Sequence, residues 1–290
     1  MIPEFRPWAN DVETLGNCID ALREQSDALI TLVDLADQPG SPYLGLLGQV
    51  DRLLKGQLSR DRNLYVSSPC AGSAFAAWCQ ETYGWSMGPH SFQSHADPAH
   101  LGKLQVGWTF GCVPFFSRLA LIARLAAPRL AQRRIHVHAR FSAAPLGPAD
   151  SPDYYTRYRS VSAAAVRRLS PTIKATPPTL VNRWQFYREL FNSQIVFSPF
   201  GWGEVCFRDY EAAAAGCVLL KPSMAHLDTR PAIYKEHVTY VPVRWDLADL
   251  ESQIDWVLTH PSDAAQIAQN LRVAYRDSLR RLSDATFPIL

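Results

Sequence analysis

The chain has 290 residues, of which 47% are hydrophobic and 19% charged, a composition that predicts one large or two modest soluble globular domains. No stretch of eighteen apolar residues occurs, and the first residues do not form a basic and then apolar run, so neither a transmembrane helix nor a secretory signal peptide is predicted. The expected location is the cytoplasm, and peripheral attachment to the inner face of the membrane is compatible with it.

The net charge of +2 conceals an uneven distribution along the chain. Residues 129–188 carry eleven Lys and Arg against two acids, whereas residues 189–263 carry five Lys and Arg against eleven acids. A basic block of this kind predicts an anionic partner, which includes a nucleotide-sugar, a phospholipid surface and an acidic glycan. A solvated basic face without a specific partner explains the same pattern equally well. Nucleic acid is not among the predicted partners.

The cysteines predict neither a disulfide framework nor a zinc site. They are scattered, include no Cys-x-x-Cys pair and lie mostly in apolar segments, which is typical of reduced core residues. The six positions are Cys18, Cys70, Cys79, Cys112, Cys206 and Cys217. Three histidines, His90, His95 and His100, lie in a predicted loop over residues 84–103 without acidic or cysteine partners at ligand spacing. No metal is therefore expected.

The first hundred residues predict an α/β layer. An amphipathic helix is predicted over Val12–Gln25 and a buried strand over residues 28–33, followed directly by Asp34. Ligands of open α/β sheets bind beyond the carboxyl ends of strands, so Asp34 is a candidate catalytic base. Capping of the following turn is an equally good role for it. Further along, helices are predicted over residues 45–58 and 72–83, and a strand over residues 63–66.

Residues 104–140 are predicted as strand, basic helix and strand. The helix spans residues 115–134, carries an apolar stripe with an arginine rim and is ended or kinked by Pro128. It either lies on an anionic membrane surface or, more commonly for such a pattern, packs into the core. In the second strand, strict alternation places His136, His138 and Arg140 on one face. A titratable face indicates a strand that borders a cleft, so His138 is a candidate base and His136 and Arg140 are candidate ligand-binding residues.

A helix over residues 154–169 follows, and its first turns mix aromatic and cationic side chains that suit a sugar or a base as well as a solvated face. Residues 170–179 contain three prolines and are predicted as a linker. Another helix over residues 183–192 then leads into the most informative segment, residues 195–222. This segment is predicted as strand, glycine turn, helix over residues 204–215 and strand, which is a parallel βαβ unit of the kind found in nucleotide-binding folds.

Polar residues of the βαβ unit converge on the predicted start of its helix. Ser198, Gly201 and Gly203 bring bare backbone to the helix N-terminus, where N–H groups and the helix dipole favour a phosphate. Arg208 leans toward the same point, and Lys221 directly follows a strand at the edge where such sheets meet their ligands. Turn glycines and surface cations are the structural alternative for these residues.

The runs Ser-Pro-Phe-Gly-Trp-Gly-Glu, Arg-Asp-Tyr-Glu and Ala-Ala-Gly-Cys-Val-Leu-Leu-Lys-Pro resemble the donor-binding segment of GT-B glycosyltransferases, in particular the bacterial group of CgeB-like and exostosin-like enzymes. The resemblance implies that the glycine loop and Arg208 face the donor diphosphate and that Glu211 holds the ribose hydroxyls. Glu204 belongs to the implied donor site, but six residues separate it from Glu211 where many retaining members have seven. The role of Glu204 and the stereochemical outcome therefore stay open.

The resemblance also implies the architecture, which is two Rossmann-like domains that face each other across a cleft. We expect an acceptor-side domain over residues 1–128 and a nucleotide-sugar-binding domain over residues 129–290, with the last helix packed back on the first domain. The expected reaction is metal-independent sugar transfer to a glycan, lipid-linked or other hydroxyl acceptor. Arg208, Lys221 and the glycine loop would stabilise the leaving diphosphate.

Two other function classes remain compatible with the sequence. A nucleotide-sugar epimerase of the same architecture would act on the donor without an acceptor. A catalytically silent module would bind glycan or scaffold a glycan-assembly complex. Hydrolase, metalloprotease and P-loop functions are not predicted, because the sequence contains no Gly-x-Ser-x-Gly, His-Glu-x-x-His or Walker pattern.

Overall fold

The computed structural model describes residues 11–67, 70, 72–85, 94–108, 114–143, 154–201 and 203–284. Cys112, His90 and the first ten residues, over which no signal peptide is predicted, lie outside the described residues. The described chain is a mixed α/β protein with two parallel sheets. One sheet lies in residues 11–108, here called the first half, and the other in residues 114–284, the second half.

The first half contains a three-stranded parallel sheet in the order β1-β2-β4. Helix α1 begins after Asp11, whose carboxylate accepts a hydrogen bond from Thr14 N, as an N-cap should. In chain order the elements are α1 (Val12–Gln25), β1 (Thr31–Asp34), a 3₁₀ helix (Leu44–Gly48), β2 (Arg52–Lys55), β3 (Gln57–Ser59), α2 (Leu64–Ser67), α3 (Ala74–Tyr83), a second 3₁₀ helix (Pro98–Lys103) and β4 (Leu104–Val106).

The strand predicted as buried over residues 28–33 is β1, which begins at Thr31 and leaves Thr31 and Val33 exposed, so its predicted burial is wrong. Two further segments take another secondary structure than predicted. The helix predicted over residues 45–58 is a short 3₁₀ helix followed by strands β2 and β3, and the strand predicted over residues 63–66 is helix α2. Leu53 shows the reason, because it pairs with Leu32 of β1 on one side and with Leu104 of β4 on the other. A short apolar run is compatible with helix or strand, and pairing with distant strands decides between them.

The second half contains a four-stranded parallel sheet in the order β5-β6-β7-β9. Its elements are α4 (Pro114–Ala126), a 3₁₀ helix (Leu130–Gln132), β5 (Ile135–His138), α5 (Tyr154–Arg167), α6 (Arg183–Phe191), β6 (Ser193–Phe197), α7 (Phe207–Ala215), β7 (Val218–Pro222), β8 (Leu227–Thr229), β9 (Val241–Val243), α8 (Leu250–Thr259) and α9 (Pro261–Asp284). The parallel βαβ unit predicted for residues 195–222 is confirmed as β6-α7-β7.

Helix α7 begins three residues later than predicted. Cys206 is its N-cap, and the Asp209 carboxylate accepts a hydrogen bond from the Cys206 N–H, which fixes the first turn. Gly216 ends the helix in the left-handed conformation, with φ of 65°, a conformation that glycine adopts without steric cost. Glu204 therefore lies in the loop before the helix and not in its first turn.

The strand order of the second sheet reverses beside β5. Val137 pairs with Ile195 of β6 on one edge and forms an isolated parallel bridge with Ala175 on the other. The chain thus leaves β5 toward residues 174–176, which were predicted only as part of a linker, and then returns to the opposite edge to form β6. Such a reversal opens a crevice beyond the carboxyl ends of the two strands, and it is where doubly wound sheets bind their ligands.

The two halves are joined by more than the chain. Strands β3 and β8 form an antiparallel pair across the halves, with Leu58 opposite Asp228. The largest hydrophobic core surrounds the second sheet and includes Phe75 of α3 and Phe116 of α4. Smaller cores lie around Leu53 and Ile19 in the first half. The domain boundary between residues 128 and 129 stays a prediction.

Candidate functional site

The candidate site lies at the strand-order reversal, beyond the carboxyl ends of β5 and β6. The loop after β5 contributes residues 139–143, and the loop after β6 contributes residues 198–201 and 203–206, up to the N-terminus of α7. The second loop is held in place by the Ser198 N–H, which donates to the Leu220 carbonyl of β7, and by a turn in which Gly201 N donates to Gly203 O. A ligand in this crevice would face backbone from two strands and one helix N-terminus.

Two arginines approach the crevice from different helices. Arg159 of α5 donates from Nε to the Phe200 carbonyl at 3.4 Å, and Arg208 of α7 donates from Nε to the Arg140 carbonyl at 3.2 Å. Burial lowers the pKa of Arg159, and the positive charge of Arg208 acts in the same direction. The charge of Arg208 disfavours the charge of Arg159, and both side chains contact loops next to the positive end of a helix, so an anion bound there would be stabilised.

The two glycines leave room for neighbouring groups. A Cβ atom on Gly201 would overlap the Arg159 guanidinium, and a Cβ atom on Gly203 would overlap the Asp37 carbonyl oxygen. Gly201 therefore lets Arg159 reach the loop. Gly203 lets the loop after β1 of the first half approach the loop after β6 of the second.

Glu211 lies in the middle of α7, one turn beyond Arg208. The Tyr187 hydroxyl of α6 donates to its Oε1 at 3.0 Å. Burial raises the pKa of the Glu211 carboxyl, while the charge of Arg208 opposes that shift. A half-buried carboxylate with one tyrosine donor keeps further acceptor capacity for a ligand hydroxyl.

Ser198 and Lys221 are both 0% exposed, which corrects the donor-binding role predicted for Ser198 and the leaving-group stabilisation predicted for Lys221. Both belong to a buried network centred on Asp209 of α7. The Ser198 hydroxyl donates to Asp209 Oδ1 at 2.6 Å, and Lys221 Nζ lies 3.1 Å from Oδ2, with both side chains of this ion pair 0% exposed. Tyr234 Oη also donates to Asp209, at 2.7 Å. The network fixes the start of the loop after β6 through Ser198 and Cys206, and its ion pair has no exposed side-chain surface.

The histidine face of β5 does not border an open cleft, so the interpretation of this face is wrong. The residues around Ala175, which form the bridge to β5, and helix α6 contact this face. His138 is 0% exposed and packs edge-on against Phe186 with ring centroids 4.7 Å apart. Arg140 forms a bidentate ion pair with Glu189 at 2.7 and 2.9 Å. His136 accepts a hydrogen bond from the Lys174 N–H at its Nδ1.

Asp34 is also fully engaged. Its Oδ1 accepts a hydrogen bond from Ala36 N, which is the predicted capping of the turn, and its Oδ2 lies 3.0 Å from the buried Lys55 ammonium. Burial lowers the pKa of Lys55, and Asp34 opposes that shift. Asp37, three residues further, has no hydrogen bond to its carboxylate among the described residues. Partial burial raises its pKa, and the charges of Lys55 and Arg159 oppose the shift. The Asp37 backbone carbonyl lies against Gly203, which brings this exposed residue of the first half beside the loop after β6.

Glu204 is 2% exposed and lies between the halves. Its Oε1 is 3.7 Å from Nε2 of His226, and neither carboxylate oxygen has a hydrogen-bond partner among the described residues. No contact of the Glu204 side chain with Arg159 or Arg208 occurs among the described hydrogen bonds and ion pairs. Within the described ranges, no three His, Cys, Asp or Glu side chains converge to hold a metal ion. The metal-independent reaction stays a prediction.

The structure thus brings together Gly201, Gly203, Arg208 and Glu211, with Arg159 and Asp37 added. The sequence marked residues 154–159 only as an aromatic and cationic run, and nothing in it separated Arg159 from its neighbours. Asp37 follows Asp27 and Asp34 in the sequence, and only its contact with the loop around Gly203 distinguishes it from them. Tyr187 and Asp209 carried no signal, because their partners are remote in the sequence or buried.

No family model matches the chain, and no curated protein matches it. Among solved structures, the chain is similar to Anabaena Alr3699/HepE in complex with UDP and glucose, with 13% identity, a TM-score of 0.45 and coverage of 98% of this chain and 83% of that one. A second structure of the same protein with UDP shares 13% identity and has a TM-score of 0.44, covering 95% and 76%. A glycosyltransferase from Rickettsia africae ESF-5 shares 10% identity, with a TM-score of 0.44 and coverage of 98% and 82%. Similarities at this level do not assign a function.

Proposed function

We propose that this protein is a nucleotide-sugar-dependent glycosyltransferase with the GT-B arrangement of two Rossmann-like halves. The second half holds the nucleotide-sugar in the crevice beyond β5 and β6, and the first half presents the acceptor hydroxyl. The observation that carries the proposal is the convergence of Arg159 and Arg208 on the N-terminus of α7 at the strand-order reversal. Diphosphates bind at this position in doubly wound sheets.

In this proposal the donor diphosphate lies against the two guanidinium groups and the first N–H groups of α7. The bond between the anomeric carbon and the diphosphate oxygen breaks during transfer, and its electron pair leaves with the nucleoside diphosphate. Arg159 and Arg208 stabilise the negative charge that develops there, and their fixed positions mean that no reorganisation is needed during the reaction. Glu211 accepts hydrogen bonds from the ribose hydroxyls.

The acceptor hydroxyl forms the new bond to the anomeric carbon and must lose its proton. We assign proton acceptance to Asp37 and not to Asp34 or His138. Asp34 is paired with Lys55, and His138 is buried under α6 with its pKa lowered to about 3, chiefly by burial. The Asp37 carboxylate carries a raised pKa and no hydrogen bond among the described residues, as a base at the mouth of the crevice requires.

The first experiment is nucleotide binding by thermal shift and calorimetry, with UDP, GDP, CMP and dTDP and the corresponding nucleotide-sugars. A ligand at about 100 times its Kd should stabilise the protein by about 2.7 kcal/mol. Arg208→Gln and Arg159→Gln should each weaken diphosphate binding by about tenfold or more, because a charge-assisted hydrogen bond contributes about 1.5–3 kcal/mol. The matched control is Arg276→Gln, an exposed arginine on α9.

Wild-type protein that binds none of these ligands, or arginine variants that bind as the wild type does, would contradict the proposal. Product analysis then separates the remaining classes. Release of nucleoside diphosphate from a nucleotide-sugar, reduced in Asp37→Asn with nucleotide binding retained, is expected of a transferase. A change of sugar configuration without release of the diphosphate would indicate an epimerase. Binding without either reaction would indicate a silent module.

A further inference from the structure

Helix α4 is apolar on two opposite sides, and the part of the chain that the structure describes buries only one of them. Phe116 and Leu119 are buried against the second half of the chain, where α4 packs on α7. On the other side Leu121 is 61% exposed, Ile122 52% and Leu125 82%. Single exposed leucines are ordinary, but three on adjacent turns of one helix form a continuous apolar ridge, which marks an interaction surface.

The ridge is surrounded by positive charge. Arg118 and Arg124 are exposed on the same helix, and Arg129 and Arg134 are exposed just after it. The sequence contains no Asp or Glu between Asp97 and Asp150, so no acid of this segment neutralises the arginines. An apolar ridge flanked by four exposed arginines is complementary to a surface that is apolar inside and anionic at its edge.

A groove beside the ridge supplies a place for an anionic group. The groove has a cavity volume of about 280 Å³ and is lined by Arg124, Arg129 and Arg272, next to Gly216. Arg133 at its floor is occupied, because it donates to the Ser193 and Ala215 carbonyls. The Arg272 side chain has no hydrogen bond or ion pair among the described residues, and burial together with the charge of Arg133 lowers its pKa.

We propose that the ridge and the groove, which we call the α4 face, dock this protein on an anionic phospholipid bilayer. Leu121, Ile122 and Leu125 enter the boundary between headgroups and acyl chains, and the groove takes a lipid phosphate. The helix has 13 residues, too few to span a bilayer, so it lies along the surface. No helix in the described ranges is long and apolar enough to cross a membrane.

A second copy of the chain fits the α4 face less well than a bilayer does. A two-fold dimer would place the same patch on both sides of the interface, so that Arg118 and Arg124 would face their own copies. Like charges at an interface oppose association, whereas phosphate headgroups neutralise them.

The test is sedimentation of the full chain with vesicles of phosphatidylcholine, alone or mixed with phosphatidylglycerol. We expect binding to the anionic vesicles that weakens with added salt, and little binding to the neutral ones. Arg124→Gln with Arg129→Gln should reduce binding by about tenfold or more, because each arginine near an anionic surface contributes a factor of about five. Leu121→Ser with Leu125→Ser should reduce it to a similar degree or further.

Matched controls come from exposed residues elsewhere. Leu29→Ser with Leu35→Ser changes leucines that are 71% and 83% exposed in the first half, and Arg276→Gln with Arg280→Gln changes exposed arginines of α9. Both control pairs should bind vesicles as the wild type does, and all variants should keep the wild-type Tm.

Three results would overturn the proposal. They are absence of binding to anionic vesicles, equal binding to neutral ones, and loss of binding in the control pairs to the same extent as in the α4 variants. Light scattering during size-exclusion chromatography provides a fourth. A wild-type dimer that becomes a monomer in the Leu121→Ser, Leu125→Ser variant would show that the α4 face binds protein. None of these results depends on nucleotide binding.

Discussion

Asp209→Ala should be among the most damaging single substitutions in this protein. The carboxylate accepts hydrogen bonds from the Ser198 hydroxyl at 2.6 Å and the Cys206 N–H at 2.9 Å, and it pairs with Lys221 at 3.1 Å. Both members of the ion pair are 0% exposed, so the groups left behind are shielded from bulk solvent. The substitution leaves a buried ammonium and several donors without an acceptor.

The expected cost follows from these contacts. Breaking a buried ion pair by removing one partner costs about 3–5 kcal/mol, and each unsatisfied buried donor about 1–3 kcal/mol. These contributions overlap because the same carboxylate makes them all, so we expect a loss of about 4 kcal/mol or more. Against a typical total stability of about 5–15 kcal/mol, this leaves a marginal fold.

Guanidinium denaturation measures this loss, with Lys221→Met and the double variant completing a cycle. Lys221→Met should cost about 3 kcal/mol, and the double variant less than the sum of the two, by about 1–3 kcal/mol. A cost below about 1 kcal/mol for Asp209→Ala, or strict additivity in the cycle, would refute the reasoning. Where Asp209→Ala still folds, nucleotide binding should also weaken, because Asp209 positions the loop after β6.

Three further predictions concern other parts of the molecule. Gly203→Ala places a methyl group against the Asp37 carbonyl and should cost about 1–3 kcal/mol in denaturation, whereas Gly102→Ala, which has open space, should change little. Burial lowers the pKa of His138 to about 3, so the unfolded chain binds a proton here before the folded protein does, and the free energy of unfolding falls as pH drops from about 6.5 toward 3. Over that range His138→Leu should lose less stability than the wild type, by up to about 1.4 kcal/mol per pH unit, as measured by denaturation at several pH values. Glu211→Ala should weaken UDP binding by about tenfold and remove any preference for UDP over 2′-deoxy-UDP, as measured by calorimetry.

The long, strongly patterned segments of the chain were predictable from the sequence. Helix α1 and the β6-α7-β7 unit match their predictions, because periodic apolar residues, caps and a terminal glycine act locally. The helix prediction for residues 45–58 was wrong because no such local signal exists there. Their short apolar runs suit either state, and only pairing with β1, β4 and β8 selects strands.

For the candidate site, the sequence by itself predicted the glycine loop, Arg208 and Glu211 as ligand-binding residues, because they lie within one βαβ unit whose geometry is local. Their role in binding a ligand stays a prediction. The tertiary structure alone decided which other charged residues face that loop. It brings in Arg159 from α5 and Asp37 from the first half, and it withdraws Lys221 into a buried ion pair. Charge and spacing in the sequence do not reveal burial, and burial decides whether a charged side chain is available to a ligand or already paired inside the protein.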